Sequence, residues 1–169
     1  MKTTTLFVFA MLFACINSAY IIEGLYRITC VANGNVLDIE DEHITDGTNL
    51  IVFGWHDGTN QQFYVEYVDG DWATLVAKNS GKALTISGLS TGPKYTQQTN
   101  IESKEQQFSF SSTHDQHFLI TNRKSGLVME CNGDISTDER GNKYALQGIR
   151  DCGNGQKFDF IKLDNPIPS

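Results

Sequence analysis

The chain has 169 residues with 20 acidic and 13 basic side chains, a formal net charge of −7 and 40% hydrophobic residues. That length suits one domain with its own hydrophobic core. The acidity excludes a basic phosphate-binding face, and with it nucleic acid as a partner, a heparin-binding growth-factor surface and attraction to anionic membranes.

The chain opens with one cation, Lys2, then an apolar run from Leu6 to Ile16, then the small polar stretch Asn17-Ser18-Ala19. That order reads as a secretory signal peptide over residues 1–19, cleaved after Ala19. The run is too short to span a bilayer, which takes about 20 apolar residues, and no later segment comes close, so no membrane insertion is expected. Removal of the signal leaves 150 residues with a formal charge of −8. The expected mature protein is secreted and extracellular, one domain over residues 20–165. No Asn-x-Ser/Thr acceptor for N-glycosylation occurs.

Two motifs then recur in phase. The segments Gln61-Gln62-Phe63, Gln106-Gln107-Phe108 and Gln156-Lys157-Phe158 start 45 and 50 positions apart. The fifteen-residue blocks Leu25–Ile39, Trp72–Ile86 and His117–Cys131 each carry glycine at the tenth position, namely Gly34, Gly81 and Gly126. Two motifs in register three times define a repeat, with copies at about residues 24–70, 71–115 and 116–163. Each block reads as a hairpin about its glycine turn. In the first, Tyr26 and Ile28 precede the turn while Leu37 and Ile39 follow it, a period of two. A further short strand, such as Leu50–Phe53, and the strand opened by Gln-x-Phe make four strands per repeat. A propeller needs about 4–8 blades, whereas three repeats suit a closed barrel. The fold class expected is all-β, a β-trefoil of three pseudo-equivalent four-stranded repeats with the Phe side chains meeting near the axis. Pro166 and Pro168 end strand pairing in the tail.

The runs Asn35-Val36-Leu37-Asp38-Ile39, Asp46-Gly47-Thr48-Asn49 and Asn60-Gln61-Gln62-Phe63 resemble the ricin B-type lectin family, with phenylalanine where the family's Gln-x-Trp has tryptophan. The resemblance implies a sugar-binding module with glycans or glycoproteins as partners. A sugar offers hydroxyls and one C–H face, so its site needs a carboxylate, an amide and an aromatic ring. In the first repeat the resemblance assigns Asp38 as the carboxylate, Phe53 as the stacking ring, and Asn60 with Gln61 as amides. Trp55 and His56 are possible additions at the mouth of the site. Ile51 stands where many members have glutamine, which bears on any galactose preference. Each residue also has an ordinary structural reading: Asp38 as a turn cap, Phe53 as half-buried core, and the two amides as partners of loop backbone, the reading favoured for Gln61. The second repeat has Thr85 and Glu105 at the corresponding positions and no site is expected. The third has Glu130 and Asn154 but no ring on the strand around Gln147–Arg150, and its site is doubtful.

Cys15 leaves with the signal. Of Cys30, Cys131 and Cys152, the last two flank the central loop of one repeat and are the expected disulfide, with Cys30 buried and unpaired or bridging to another chain. No nucleophile elbow, nucleotide loop or helical zinc motif occurs, so neither an enzyme nor a cofactor is expected. His114 and His117 read as solvated loop residues rather than metal ligands. The acidic stretch Asp134–Ala145 lacks the twelfth-position Glu of a calcium loop. The alternative function is a protein-binding trefoil, such as a protease inhibitor, acting through the long polar loops 87–104 and 132–144.

Overall fold

The computed structural model describes residues 17–18, 20–131, 137 and 140–163. The signal segment apart from Asn17 and Ser18, the tail from Asp164, and much of the stretch compared with a calcium loop lie outside those residues. Fourteen strands are described: β1 (Asn17–Ser18), β2 (Gly24–Cys30), β3 (Val36–Ile39), β4 (Leu50–Phe53), β5 (Phe63–Asp69), β6 (Trp72–Ala77), β7 (Ala83–Ile86), β8 (Tyr95–Gln98), β9 (Phe108–Ser112), β10 (Phe118–Asn122), β11 (Val128–Glu130), β12 (Lys143–Tyr144), β13 (Leu146–Gly148) and β14 (Phe158–Lys162).

The alternating pattern sends every second residue of β2 inward, and Tyr26, Ile28 and Cys30 join the core. The strand β2 pairs with β5, β5 with β6, β6 with β9, β9 with β10, β10 with β14, and β14 again with β2, all antiparallel. This ring closes a six-stranded barrel and leaves no open edge there. The hairpins β3–β4, β7–β8 and β11–β13 cap one end. With β1 and the short β12 set aside, each repeat supplies four strands, which is the β-trefoil expected from the sequence.

The register shows why the motifs recur. The core aromatics Phe63, Phe108 and Phe158 are fully buried and stand opposite Tyr26, Ala73 and Phe118, the second residue of each block. The turn glycines have φ of 73°, 68° and 70°, the left-handed region that glycine enters at no steric cost. Their N–H groups donate to the carbonyls of Cys30, Ala77 and Asn122 at 2.9, 2.8 and 3.0 Å. At the cap, Leu50, Tyr95 and Ala145 are fully buried.

The disulfide corrects the sequence reading: Cys30 bonds Cys131, with 6.2 Å between their Cα atoms, and the expected Cys131–Cys152 bridge is not formed. Closure of the barrel is the reason. Cys30 lies opposite Phe158 on the strand that seals the ring, and the Cys131 N–H donates to Gly155 O just before that strand. Both cysteines are fully buried. Cys152 instead occupies a left-handed position (φ 59°) on the loop before the last Gln-x-Phe, where Asp57 and Glu102 stand in the other repeats.

The loops 87–104 and 132–144 are also less bare than their composition suggests. The first contains β8, whose Tyr95 is in the core, and the second ends in β12, whose Tyr144 packs on Ile51 and Leu146. Aromatic residues in otherwise polar stretches carried that signal.

Candidate functional site

The hairpin β3–β4 builds the first-repeat site. Pairing of Asp38 with Ile51 and of Val36 with Phe53 places all four on one face, while Leu37, Ile39, Leu50 and Val52 face the core. Asp38 therefore lies diagonally across the pair from Phe53. Asp38 is nearly buried, at 3% exposure, whereas Phe53 stands 43% exposed. Between them opens a cleft of about 290 Å³, lined also by Ile51, His56 and Asn60.

Asn60 and Gln61 reach the carboxylate from a 3-10 turn over Thr59–Gln61. The Asn60 Nδ2 donates to Asp38 Oδ1 at 2.8 Å and to Ile39 O at 3.0 Å; Gln61 Nε2 donates to Asp38 Oδ2 at 2.7 Å and to Gly54 O at 2.8 Å. His56 Nε2 lies 3.5 Å from Asp38 Oδ2. Burial is the largest influence on Asp38 and raises its pKa above the ordinary 3.8, against the Gln61 hydrogen bond, the His56 charge and the Asn60 hydrogen bond, which lower it. A β-carbon at position 58 would meet Asn60 Oδ1 and the His56 ring, so a side chain there would have to displace them.

Gln61 is fully buried and clamps its loop: its Oε1 accepts the His56 N–H at 2.9 Å. Gln106 accepts from Ile101 N–H at 3.0 Å and Gln156 from Asp151 N–H at 2.9 Å, so the same clamp recurs in each repeat. Trp55 lies away from the cleft lining, with the Arg27 guanidinium 4.8 Å from its ring centroid. His56 is at the mouth, its ring edge-on to Phe53 at 6.2 Å.

One wall was not legible in the first repeat. The strand β12 pairs with β4, Lys143 opposite Val52 and Tyr144 opposite Ile51, and brings Arg140 and Asn142 from the third repeat to the cleft. Arg140 Nη1 donates to Asp41 Oδ1 at 2.6 Å and its Nη2 lies 3.4 Å from Glu40 Oε1. Asp41 and Glu42, which also line the cleft, hold φ of 55° and 57°, a left-handed pair of non-glycine residues at the rim. Such positions cost about 1–3 kcal/mol each and concentrate at functional sites.

The other repeats lack this constellation. In the second, Thr85 Oγ1 accepts from the clamp Gln106 at 3.1 Å, Glu105 pairs with Lys124 at 3.3 Å, and Gln98 stands where Phe53 stands. In the third, Glu130 and Asn154 do share a cleft with Asp151, but Gly148 replaces the ring and Glu130 Oε2 lies where a β-carbon on residue 148 would go. His117 is not a solvated histidine: its Nδ1 is 2.7 Å from Asp159 Oδ1. Among the described residues, no group of three or more His, Cys, Asp or Glu is placed to hold a metal ion.

Strand order, barrel closure and the three caps define the molecule as a β-trefoil. Its sequence matches the ricin-type beta-trefoil lectin domain-like family over residues 16–102 and 59–146, and the chain belongs to that family. Among solved structures it is similar to the designed threefold-symmetric protein ThreeFoil (26% identity, TM-score 0.77, covering 83% of this chain and 99% of that one). It is also similar to the Rhizoctonia solani agglutinin (21%, 0.74, 87% and 100%). The C-half of an earthworm R-type lectin, solved in complex with GalNAc, shares the fold at 19% identity (TM-score 0.59, 81% and 97%). No curated protein sequence matches the chain.

Proposed function

We propose that this protein is a secreted lectin that binds a sugar in the first-repeat cleft and does no chemistry on it. The observation that carries this reading is a nearly buried carboxylate fixed by two amides beside a half-exposed ring on the same face of one hairpin. Asp38 accepts sugar hydroxyls through lone pairs that Asn60 and Gln61 leave over, because an ionised carboxylate has about four acceptor positions. Phe53 covers the C–H face of the pyranose. Asn60 and Gln61 hold the carboxylate, and His56 adds a ring nitrogen at the mouth. The earthworm lectin of the same fold was solved with GalNAc, which supports a hexose ligand. Secretion is supported by the Lys2 to Ala19 segment and by a buried disulfide, a bond that persists in oxidising compartments.

The test is a glycan array probed with the purified protein and its Asp38→Ala variant, with circular dichroism confirming that both are folded. Binding lost in the folded variant is the expected result. An array on which the intact protein binds nothing would sink the lectin reading and turn the search to protein partners of loops 87–104 and 132–144.

A further inference from the structure

Three junctions join the repeats, and one of them is built differently. On the second strand of each hairpin, the inward residue opposite Leu37, Leu84 or Met129 is Val52, Gln97 or Gln147. Both glutamines are buried, and each bridges its own glycine turn to the preceding repeat. Gln97 Oε1 accepts from Ser80 Oγ at 2.6 Å and its Nε2 donates to His43 O at 2.8 Å. Gln147 Oε1 accepts from Ser125 Oγ at 2.6 Å and its Nε2 donates to Gly88 O at 2.8 Å. In the first repeat the same two places hold Val52 and Asn33, and valine has no polar atom with which to make that bridge.

A cleft of about 420 Å³ lies at this junction, where the third repeat docks on β4 through β12. Val52 and Asn33 are in its wall, with Asn35, Phe53 and Gly54. Asn33 spends its Oδ1 on the Asn35 N–H at 3.0 Å, which leaves its Nδ2 hydrogens over, and the Asn35 side chain makes no hydrogen bond among the described residues. Uncharged amides that donate and accept suit sugar hydroxyls. Phe53 lines this cleft and the sugar cleft alike, so one half-exposed ring borders both. The sugar cleft alone, at about 290 Å³, lies at the small end of ligand sites, which run from about 300 to 1,000 Å³; the two clefts together lie inside that range.

We propose that this junction is an extension subsite: a second, uncharged sugar unit lies against Phe53 and the Asn33 and Asn35 amides when the first unit sits on Asp38. The ligand is then an oligosaccharide that crosses the ring rather than a single sugar. This inference rests on the reading of the first cleft as the primary sugar site.

The test titrates the protein with galactose, N-acetylgalactosamine, N-acetylglucosamine and mannose, each offered as the monosaccharide and as its neutral disaccharides with glucose in every linkage. For one of these sugars, at least one linkage is expected to bind about tenfold more tightly than the monosaccharide, the scale of one or two added neutral hydrogen bonds. That gain should persist in 1 M salt, where charge contacts are screened within about 3 Å. The double variant Val52→Gln, Asn33→Ser copies the other two junctions into this one. Serine keeps the turn bond, since Ser80 and Ser125 each accept the N–H two residues on at 3.2 Å. The variant should abolish the gain and leave monosaccharide affinity unchanged. Should it not fold by circular dichroism, Asn35→Ala decides the matter: most of the gain is expected to go, again with monosaccharide affinity unchanged. Monosaccharide binding with no gain in any linkage overturns the second subsite and leaves the first standing. A gain that survives the folded variant, or one lost in 1 M salt, also overturns it, and no binding to any of the sugars overturns both readings together.

Discussion

The first and third repeats share a backbone and a carboxylate, yet only the first sets that carboxylate between two amides and a half-exposed ring. Asp38 and Glu130 occupy the same place on their hairpins, each opposite an aliphatic residue, Ile51 or Leu146. The difference lies on the facing strand and at the clamp. Phe53 gives way to Gly148, and Asn60, beside the clamp glutamine, gives way to Gly155. The longer Glu130 then occupies the space over the glycine. The turn glycine, clamp glutamine and core phenylalanine hold each repeat, Gln61 also bonds the Asp38 carboxylate, and a few outward-facing positions set the first-repeat cleft apart from the others.

The strongest way to break the comparison is to separate the two repeats. Replacing both Cys30 and Cys131 by serine removes a crosslink spanning 101 residues and is expected to cost about 4 kcal/mol, read as a lowered urea midpoint. Cys152→Ser, which leaves that crosslink in place, should move the midpoint much less. Next in size, Asp38→Ala should weaken sugar binding by about a hundredfold, in the range for truncating a charged hydrogen-bonding partner. Glu130→Ala should leave it unchanged by the same titration. Phe53→Ala, which removes the ring and keeps the polar contacts, should lose about tenfold.

A transplant sharpens the comparison in the opposite direction. The triple variant Glu130→Asp, Gly148→Phe, Gly155→Asn is expected to create a second, weak site, seen as a stoichiometry approaching two at millimolar sugar. Glu130 must be shortened in the same variant, since the new β-carbon would otherwise meet its carboxylate. The smallest expected effect is on acidification. Burial raises the Asp38 pKa above 3.8, so its proton returns at a higher pH than an exposed aspartate's. Protonation leaves fewer acceptors for the amides and the sugar, so binding should fall as pH drops through a value above 3.8, before the fold is lost. For stability the sign is opposite: the contribution of protonated Asp38 is present below 3.8 and fades as pH rises through the raised value. A binding curve that stays flat down to pH 3.8 in folded protein would show that Asp38 is not the acceptor.

The fold was legible because its signals are local and repeated. A glycine at the tenth position and a Gln-x-Phe in phase report a turn and a core contact within one repeat, and the barrel merely copies them. Asp38 and Phe53 were singled out by the resemblance to the ricin B-type pattern, and the alternation along β3 and β4 explains why the structure puts them on one face. What comes from elsewhere in the chain was not legible. Arg140 contacts Asp41 across 99 positions, and Cys30 meets Cys131 across 101; both depend on how the third repeat docks against the first. Spacing in sequence made Cys152 look the nearer partner, whereas ring closure made it Cys30.

The seam between β2 and β14 has a consequence for the order in which the molecule is made. Phe158 to Lys162 align with Cys30 back to Tyr26, so the second strand of the chain takes one neighbour from its far end. Contacts of such separation form late, because the loop they close is nearly the whole domain. During synthesis at about 5–20 residues per second, β2 waits on the order of 10 s with one edge bare before its partner emerges. For most of that interval the Cys30 thiol has no Cys131 to meet, since Cys131 follows it by 101 positions, and the bare edge of β2 is open to pairing with another nascent chain.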